Sequence, residues 1–344
     1  MNKHIGSRSL LFGKPPVLIS TACVGGKKES EGPLASCFDI LNQDTRFGKQ
    51  TWEKAEQKMQ QMALQTALQK NNLKNSDLDM LFSGDLLNQC ITSSFALRDT
   101  GIPVFGLYGA CSTMAEGLCL ASMAVAGGFA RRAGILTSSH YAASERQYRF
   151  PLNYGGQRTP TAQWTVTGSG CAILAAEGKG PRICAATVGA VTDLGIKDAN
   201  NMGAAMAPSA YETIRTHLED LSLSPEDYDL IVTGDLGAVG KALVIDLFDR
   251  DGVDIRPVYD DCGTMIFDRN TQDVHAGGSG CGCSAVVLCG HLFQQMKQKK
   301  LKKMLFCGTG ALLSPTSVQQ GETIPGICHA VSVVCQEDHR AWNI

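Results

Sequence analysis

The spacing of apolar positions changes along the chain, and each change marks a different kind of element. Across residues 51–70, Ala55, Met59, Met62, Ala63 and Thr66 share one face of a helix, with Glu, Lys and Gln elsewhere. That spacing predicts an outer amphipathic helix with Thr51 as its N-cap. Ser224-Pro225-Glu226-Asp227 is a second helix-start signal, with Pro at the first helical position and an acid three residues after the cap. Residues 114–128 and 284–292 behave differently, being small or apolar on nearly every side. A helix that is apolar all round must be buried all round. Two such helices predict a central helical layer between two sheets, in the order helix–sheet–helix–sheet–helix. Glu116 interrupts the first of them and should be paired or face a site, because an unpaired buried carboxylate is costly.

The strand-like runs repeat. Asp77-Leu78-Asp79-Met80-Leu81-Phe82-Ser83-Gly84-Asp85 is echoed 150 residues later by Asp227-Tyr228-Asp229-Leu230-Ile231-Val232-Thr233-Gly234-Asp235. Each reads as a buried strand ending in Gly-Asp. Ala133-Gly134-Ile135-Leu136-Thr137 is answered by Lys303-Met304-Leu305-Phe306-Cys307, and the same offset sets Cys111 opposite Cys281. These echoes predict an α/β protein of two duplicated halves, residues 1–180 and 181–344, joined near residues 177–181.

Composition narrows the function classes. The net charge is −2 over 344 residues, which gives no bias toward nucleic acid. Fourteen cysteines are scattered without a Cys-x-x-Cys or a zinc-type Cys/His cluster, so no metal site is expected. The start, Met1-Asn2-Lys3-His4, has no signal-peptide apolar region, and no run is long enough to cross a bilayer. A soluble protein of a reducing compartment, with free thiols, is the expectation. The one dense charge cluster, residues 297–303, reads either as a solvated helix end or as a contact for an anionic membrane or acidic partner.

Cys111 carries the candidate chemistry. It follows the apolar run Val104-Phe105-Gly106-Leu107-Tyr108 and opens a small-residue helical stretch. That places a thiol at a helix N-terminus, where free N–H groups and the helix dipole favour thiolate. Most of the other cysteines read as buried structural residues.

The duplicated halves, Gly109-Ala110-Cys111-Ser112, Gly277-Gly278-Ser279-Gly280 and Gly308-Thr309-Gly310, in this order, resemble the thiolase / ketoacyl-ACP synthase superfamily. The resemblance implies a five-layered αβαβα fold, with Gly308-Thr309-Gly310 as one arm of an oxyanion hole. It also exposes a break. Condensing enzymes of this type use a His and an Asn beside the cysteine, and by register Gly234 and Ser279 stand in those places. His275, His291 and His329 are out of register. Without the two partners, no group is ready to polarise a thioester or move a proton.

Two further segments, residues 153–171 and 193–208, resemble the stage V sporulation protein AD family within that superfamily. This resemblance implies a non-catalytic, dipicolinate-binding component of the SpoVA system. Such a component moves dipicolinate, held as its calcium chelate, into the developing spore and out at germination, associated with other SpoVA proteins at the inner membrane. Dipicolinate is a flat dianion. A disused condensing pocket would offer it the backbone N–H groups of Cys111 and Thr309 beside Gly308 and Gly234, and the Ser279 hydroxyl. One cation should complete the set, with Arg146, Arg149, Arg158 and Lys197 as candidates. Two other readings remain: an active thioester-dependent condensing enzyme, and a purely structural channel plug. A homodimer and a partner protein on the same face both fit the superfamily's habit of pairing through its sheets.

Overall fold

The computed structural model describes residues 1–148 and 158–335. Ten strands carry the architecture. The first five are β1 (Val17–Gly25), β2 (Met80–Gly84), β3 (Val104–Leu107), β4 (Arg132–Ser139) and β5 (Gly168–Ala175). The second five are β6 (Arg182–Thr187), β7 (Leu230–Thr233), β8 (Tyr259–Asp261), β9 (Lys303–Ala311) and β10 (Gly326–Val334). Within the first five the order is β1-β5-β4-β2-β3, and within the second it is β6-β10-β9-β7-β8. The pairing senses also match. The first two pairings of each set are antiparallel and the last two parallel. The two sets touch edge to edge through one residue pair, Arg182 with Val17.

Three helical layers enclose these sheets. Helix α1 (Trp52–Gln69) covers the outer face of the first set. Thr51 caps it by accepting from the Lys54 N–H at 3.3 Å. Ala55, Met59 and Ala63 are buried as the spacing predicts, while Met62 stays half-buried. Helix α2 (Thr113–Ala126) packs on strands of both sets. Helices α3 (Met202–Asp220) and α4 (Gly237–Arg250) cover the outer face of the second set. The expected five layers are present. Between the sheets, Met114, Leu118, Ile135, Val286, Phe306 and Val331 form the main core. Each such buried side chain contributes about 1.5–3 kcal/mol.

Three local expectations need correction. Ser224 and Asp227 do form a capping box, but it closes only a 3₁₀ turn, Pro225–Asp227, because β7 begins at Leu230. The second apolar helix opens as α-helix (Cys281–Val286) and continues as π-helix (Val287–Leu292). The Oε2 atom of Glu116 has no hydrogen-bond partner, and burial pushes its carboxyl above the ordinary value. A Cβ at Gly109 would come within 2.3 Å of that oxygen, so the turn before Cys111 is what makes room for it.

Candidate functional site

β3 turns into α2 through a single 3₁₀ turn, Ala110–Ser112, and the turn is tight. Ala110 adopts the left-handed region at φ 52°, a conformation that costs a non-glycine residue of order 1–3 kcal/mol and clusters at functional sites. The hydroxyls of Ser112 and Thr113 donate to the Gly109 and Ala110 carbonyls, both at 2.7 Å, and lock the bend. This geometry delivers Cys111 to the end of the central helix with only 6% of its surface exposed.

Helix position does not make Cys111 a thiolate. Burial, above all, pushes its thiol well above the ordinary value, and the neighbouring Asp235 carboxyl and Cys281 push in the same direction. The expected thiolate is therefore corrected to a neutral thiol, because desolvation and nearby acid outweigh the helix dipole.

Asp235 is the organising residue that sequence reasoning passed over. It is fully buried at the end of β7. It accepts from Thr309 Oγ1 at 2.8 Å, Ser279 Oγ at 3.2 Å and the Gly280 N–H at 2.9 Å, and from the Cys111 thiol. Burial raises its pKa while these donors lower it. One carboxyl thus ties together the cysteine turn, the Gly-rich turn and the late Gly-Thr-Gly. Its signal was the Gly-Asp that closes both copies of the repeated strand.

Above Cys111 lies a cavity of about 240 Å³. Leu86, Met202, Ala311 and Leu313 supply apolar wall, and Ser144, Thr165, Asn200, Tyr148 and Ser279 supply polar atoms. Glu145 is the one formally charged side chain among the described residues lining it. The Tyr148 hydroxyl is turned to the Leu86 carbonyl at 2.7 Å.

Of the residues expected at the site, Cys111 and Ser279 line this cavity. Thr309 is buried behind it, with its hydroxyl on Asp235. Gly308 lies under α2, where a Cβ would come within 2.6 Å of the Ala115 Cβ. Gly234 is packed tightly but less so, since its Cβ would lie 3.2 Å from both the Ser284 Cβ and the Thr309 nitrogen. The cations are corrected. Arg146 pairs with Glu53 beside the Trp52 ring. Arg158 pairs with Asp273 at 2.9 Å and lies over the Trp164 ring. Lys197 donates to the Gly321 carbonyl at 2.8 Å. Each contacts a partner outside the cavity, and none of the three is among the described residues that line it. Arg149 lies outside the described residues. The three histidines also point elsewhere, with His275 on Asp273, His291 on Cys37, and His329 accepting from the Gly189 N–H.

The family model for stage V sporulation protein AD matches residues 6–334. The chain belongs to the stage V sporulation protein AD family. The stage V sporulation protein AD of Bacillus subtilis is 47% identical over 329 residues, covering 96% of this chain and 97% of that protein. Solved structures share the fold at much lower identity. The 3-oxoacyl-[acyl-carrier-protein] synthase III of Aquifex aeolicus aligns over 93% of this chain and 99% of its own, at 13% identity and a TM-score of 0.57. Cerulenin-bound OleA of Xanthomonas campestris aligns over 94% and 98%, at 15% identity and a TM-score of 0.60. These neighbours establish the thiolase-like fold and nothing finer. The two segments that resemble this sporulation family supply Thr165, Ala199, Asn200 and Met202 to the cavity wall. Among the described residues, no helix is long and apolar enough to cross a membrane.

Proposed function

We propose that this sporulation-family protein binds dipicolinate without turning it over, in the cavity above Cys111, as a component of the SpoVA system. In that role it serves uptake of dipicolinate into the developing spore and its release at germination. The observation that carries the reading is the chemistry around Cys111. By register Gly234 and Ser279 stand where a condensing enzyme places His and Asn, and burial, reinforced by the neighbouring Asp235, keeps Cys111 a thiol. Size supports the same reading. Ligand pockets for drug-sized molecules run to about 300–1,000 Å³, so a cavity of about 240 Å³ suits one ring better than a long acyl chain.

Filling the cavity tests the site: Ala311→Trp should abolish binding of calcium dipicolinate in calorimetry while the circular dichroism spectrum stays that of the wild type. Unchanged affinity in the folded variant would move the ligand elsewhere.

The same reading includes pairing of two copies. β3 is an end strand of the sheet, and Val104, Phe105 and Tyr108 along it are 42–56% exposed beside Phe95 at 43%. An unpaired edge carrying large apolar side chains favours strand-to-strand association. Phe105→Lys should shift sedimentation from dimer to monomer; a wild-type monomer at all concentrations contradicts it. Association with an anionic membrane through residues 297–303 is tested by liposome flotation, which Lys→Glu changes there should abolish.

A further inference from the structure

A second cavity, of about 150 Å³, opens on the other side of the segments that wall the first. The helix Tyr141–Tyr148 sends Ser144, Glu145 and Tyr148 to the first cavity and Tyr141 and Ala142 to the second. The short strand Trp164–Thr165 divides in the same way, Thr165 to one and Trp164 to the other. Nothing in the proposed function uses this second space.

Its lining holds two buried polar side chains with an unsatisfied atom each. His140 is 2% exposed, and its Nε2 lies 2.8 Å from the Thr45 carbonyl. A carbonyl only accepts, so Nε2 carries the proton and Nδ1 of the neutral ring is an acceptor; it has no partner. Burial lowers the His140 pKa and keeps the ring neutral. Glu29 is 1% exposed, and its Oε1 accepts from the Thr167 N–H at 2.9 Å, while Oε2 has no partner. Burial raises this carboxyl to about 7, so a protonated form that can donate is present at neutral pH. Lys27 and Lys28 also line the cavity, and Lys28 Nζ sits 4.0 Å from the centre of the Trp164 ring. Lys27 and Lys28 are like charges on one lining, and an anion in the space they share relieves their repulsion.

We propose that this cavity is a site for a small oxyanion that keeps one hydroxyl proton, of the hydrogen-phosphate type. The oxyanion's bare oxygens accept from Lys27, Lys28 and the Glu29 carboxyl, and its single O–H donates to His140 Nδ1. The hydroxyl is what distinguishes the ligand. Sulfate has the same shape and no proton at neutral pH, so it would set an oxygen lone pair against the His140 lone pair.

The test is a titration of the full chain with inorganic phosphate at pH 7, with sulfate and glycerol phosphate as parallel arms. Phosphate should bind at least about tenfold more tightly than sulfate, because a site built to receive a hydroxyl rejects the analogue lacking it. Glycerol phosphate, whose second pKa of about 6 leaves its phosphate without a hydroxyl proton at pH 7, should bind as weakly as sulfate; tight binding of it overturns the hydroxyl requirement. Lys28→Met, a surface change that leaves the core untouched, should weaken phosphate about tenfold, the loss of one charge-assisted contact. His140→Asn should reduce the preference over sulfate while the folded spectrum is retained. Ala311→Trp, which fills the first cavity, should leave phosphate binding unchanged, so failure of this site and failure of the dipicolinate site are separable. Equal affinity for phosphate and sulfate, or no phosphate binding at millimolar concentration, overturns the proposal.

Discussion

Asp85 and Asp235 end equivalent strands in the two halves, yet they serve different purposes. Asp85 is closed on its own neighbourhood: it accepts from the Leu87 N–H at 3.0 Å, the Ser93 N–H at 2.9 Å and Ser93 Oγ at 2.8 Å. All three donors belong to the segment that follows its own strand. Asp235 reaches further, to Thr309, Ser279, Gly280 and Cys111, which come from three other parts of the chain. A duplicated strand end therefore supplied one structural clasp and one site organiser. What separates them is not the Gly-Asp itself but the donors that later segments of its own half, and Cys111 from the other half, bring up to Asp235.

Alanine at each position is the strongest way to break this comparison. Asp85→Ala leaves three buried donors without an acceptor and Asp235→Ala leaves four, and at about 1–3 kcal/mol per unsatisfied group each should lose about 3 kcal/mol or more in denaturant unfolding. Only Asp235→Ala should also lose dipicolinate affinity in the molecules that remain folded. Equal loss of binding in both would erase the distinction. Placing histidine at Gly234 comes next. Its Cβ would sit 3.2 Å from Ser284 and Thr309, so Gly234→His should cost about 1–3 kcal/mol by overpacking and gain no acyl transfer to Cys111. Transfer from labelled acyl-CoA to that variant would show the site to be one residue from catalysis.

The buried acids predict a pH effect of similar size. Glu29 has its folded pKa at about 7, above the ordinary 4.5, so the folded state holds the proton more tightly. Its contribution to stability is present at low pH and is lost as pH rises from about 4.5 to 7. Glu29→Gln should remove that fall, worth roughly 3 kcal/mol at most, in the difference between the two stability curves. Using the difference cancels the opposite effect of His329, lowered to about 4, whose neutral buried form favours folding as pH rises. Parallel curves for the two proteins would remove Glu29 from the account. Cys111→Ala should have the smallest effect, less than about threefold on dipicolinate affinity, because toward the ligand the sulfur contributes only wall and Asp235 keeps its other three donors.

Much of the architecture was legible in the chain. The all-apolar stretches at 114–128 and 284–292 could only be a central layer, and the echoed strands occupy equivalent places in the two sheets. Cys111 and Ser279 reached the cavity from motif and register. What could not be read was which charges are already spent. Arg146, Arg158 and Lys197 looked like ligand donors because Glu53, Asp273 and the Gly321 carbonyl lie far from each of them in sequence. Asp235 was missed for the opposite reason. A lone acid at a strand end looks like solvent-facing punctuation until Thr309 and Ser279 fold over it. The second cavity was invisible because Glu29, His140 and Trp164 share no motif.

The most direct measurement pairs two readings on one sample: calorimetric titration of calcium dipicolinate onto the wild-type protein and Cys111→Ala, with intact-mass analysis after incubation with acyl-CoA. The account predicts one site per chain, nearly equal affinity in both proteins, and no added acyl mass. An acyl group trapped on Cys111, or binding that disappears with the sulfur, would contradict it.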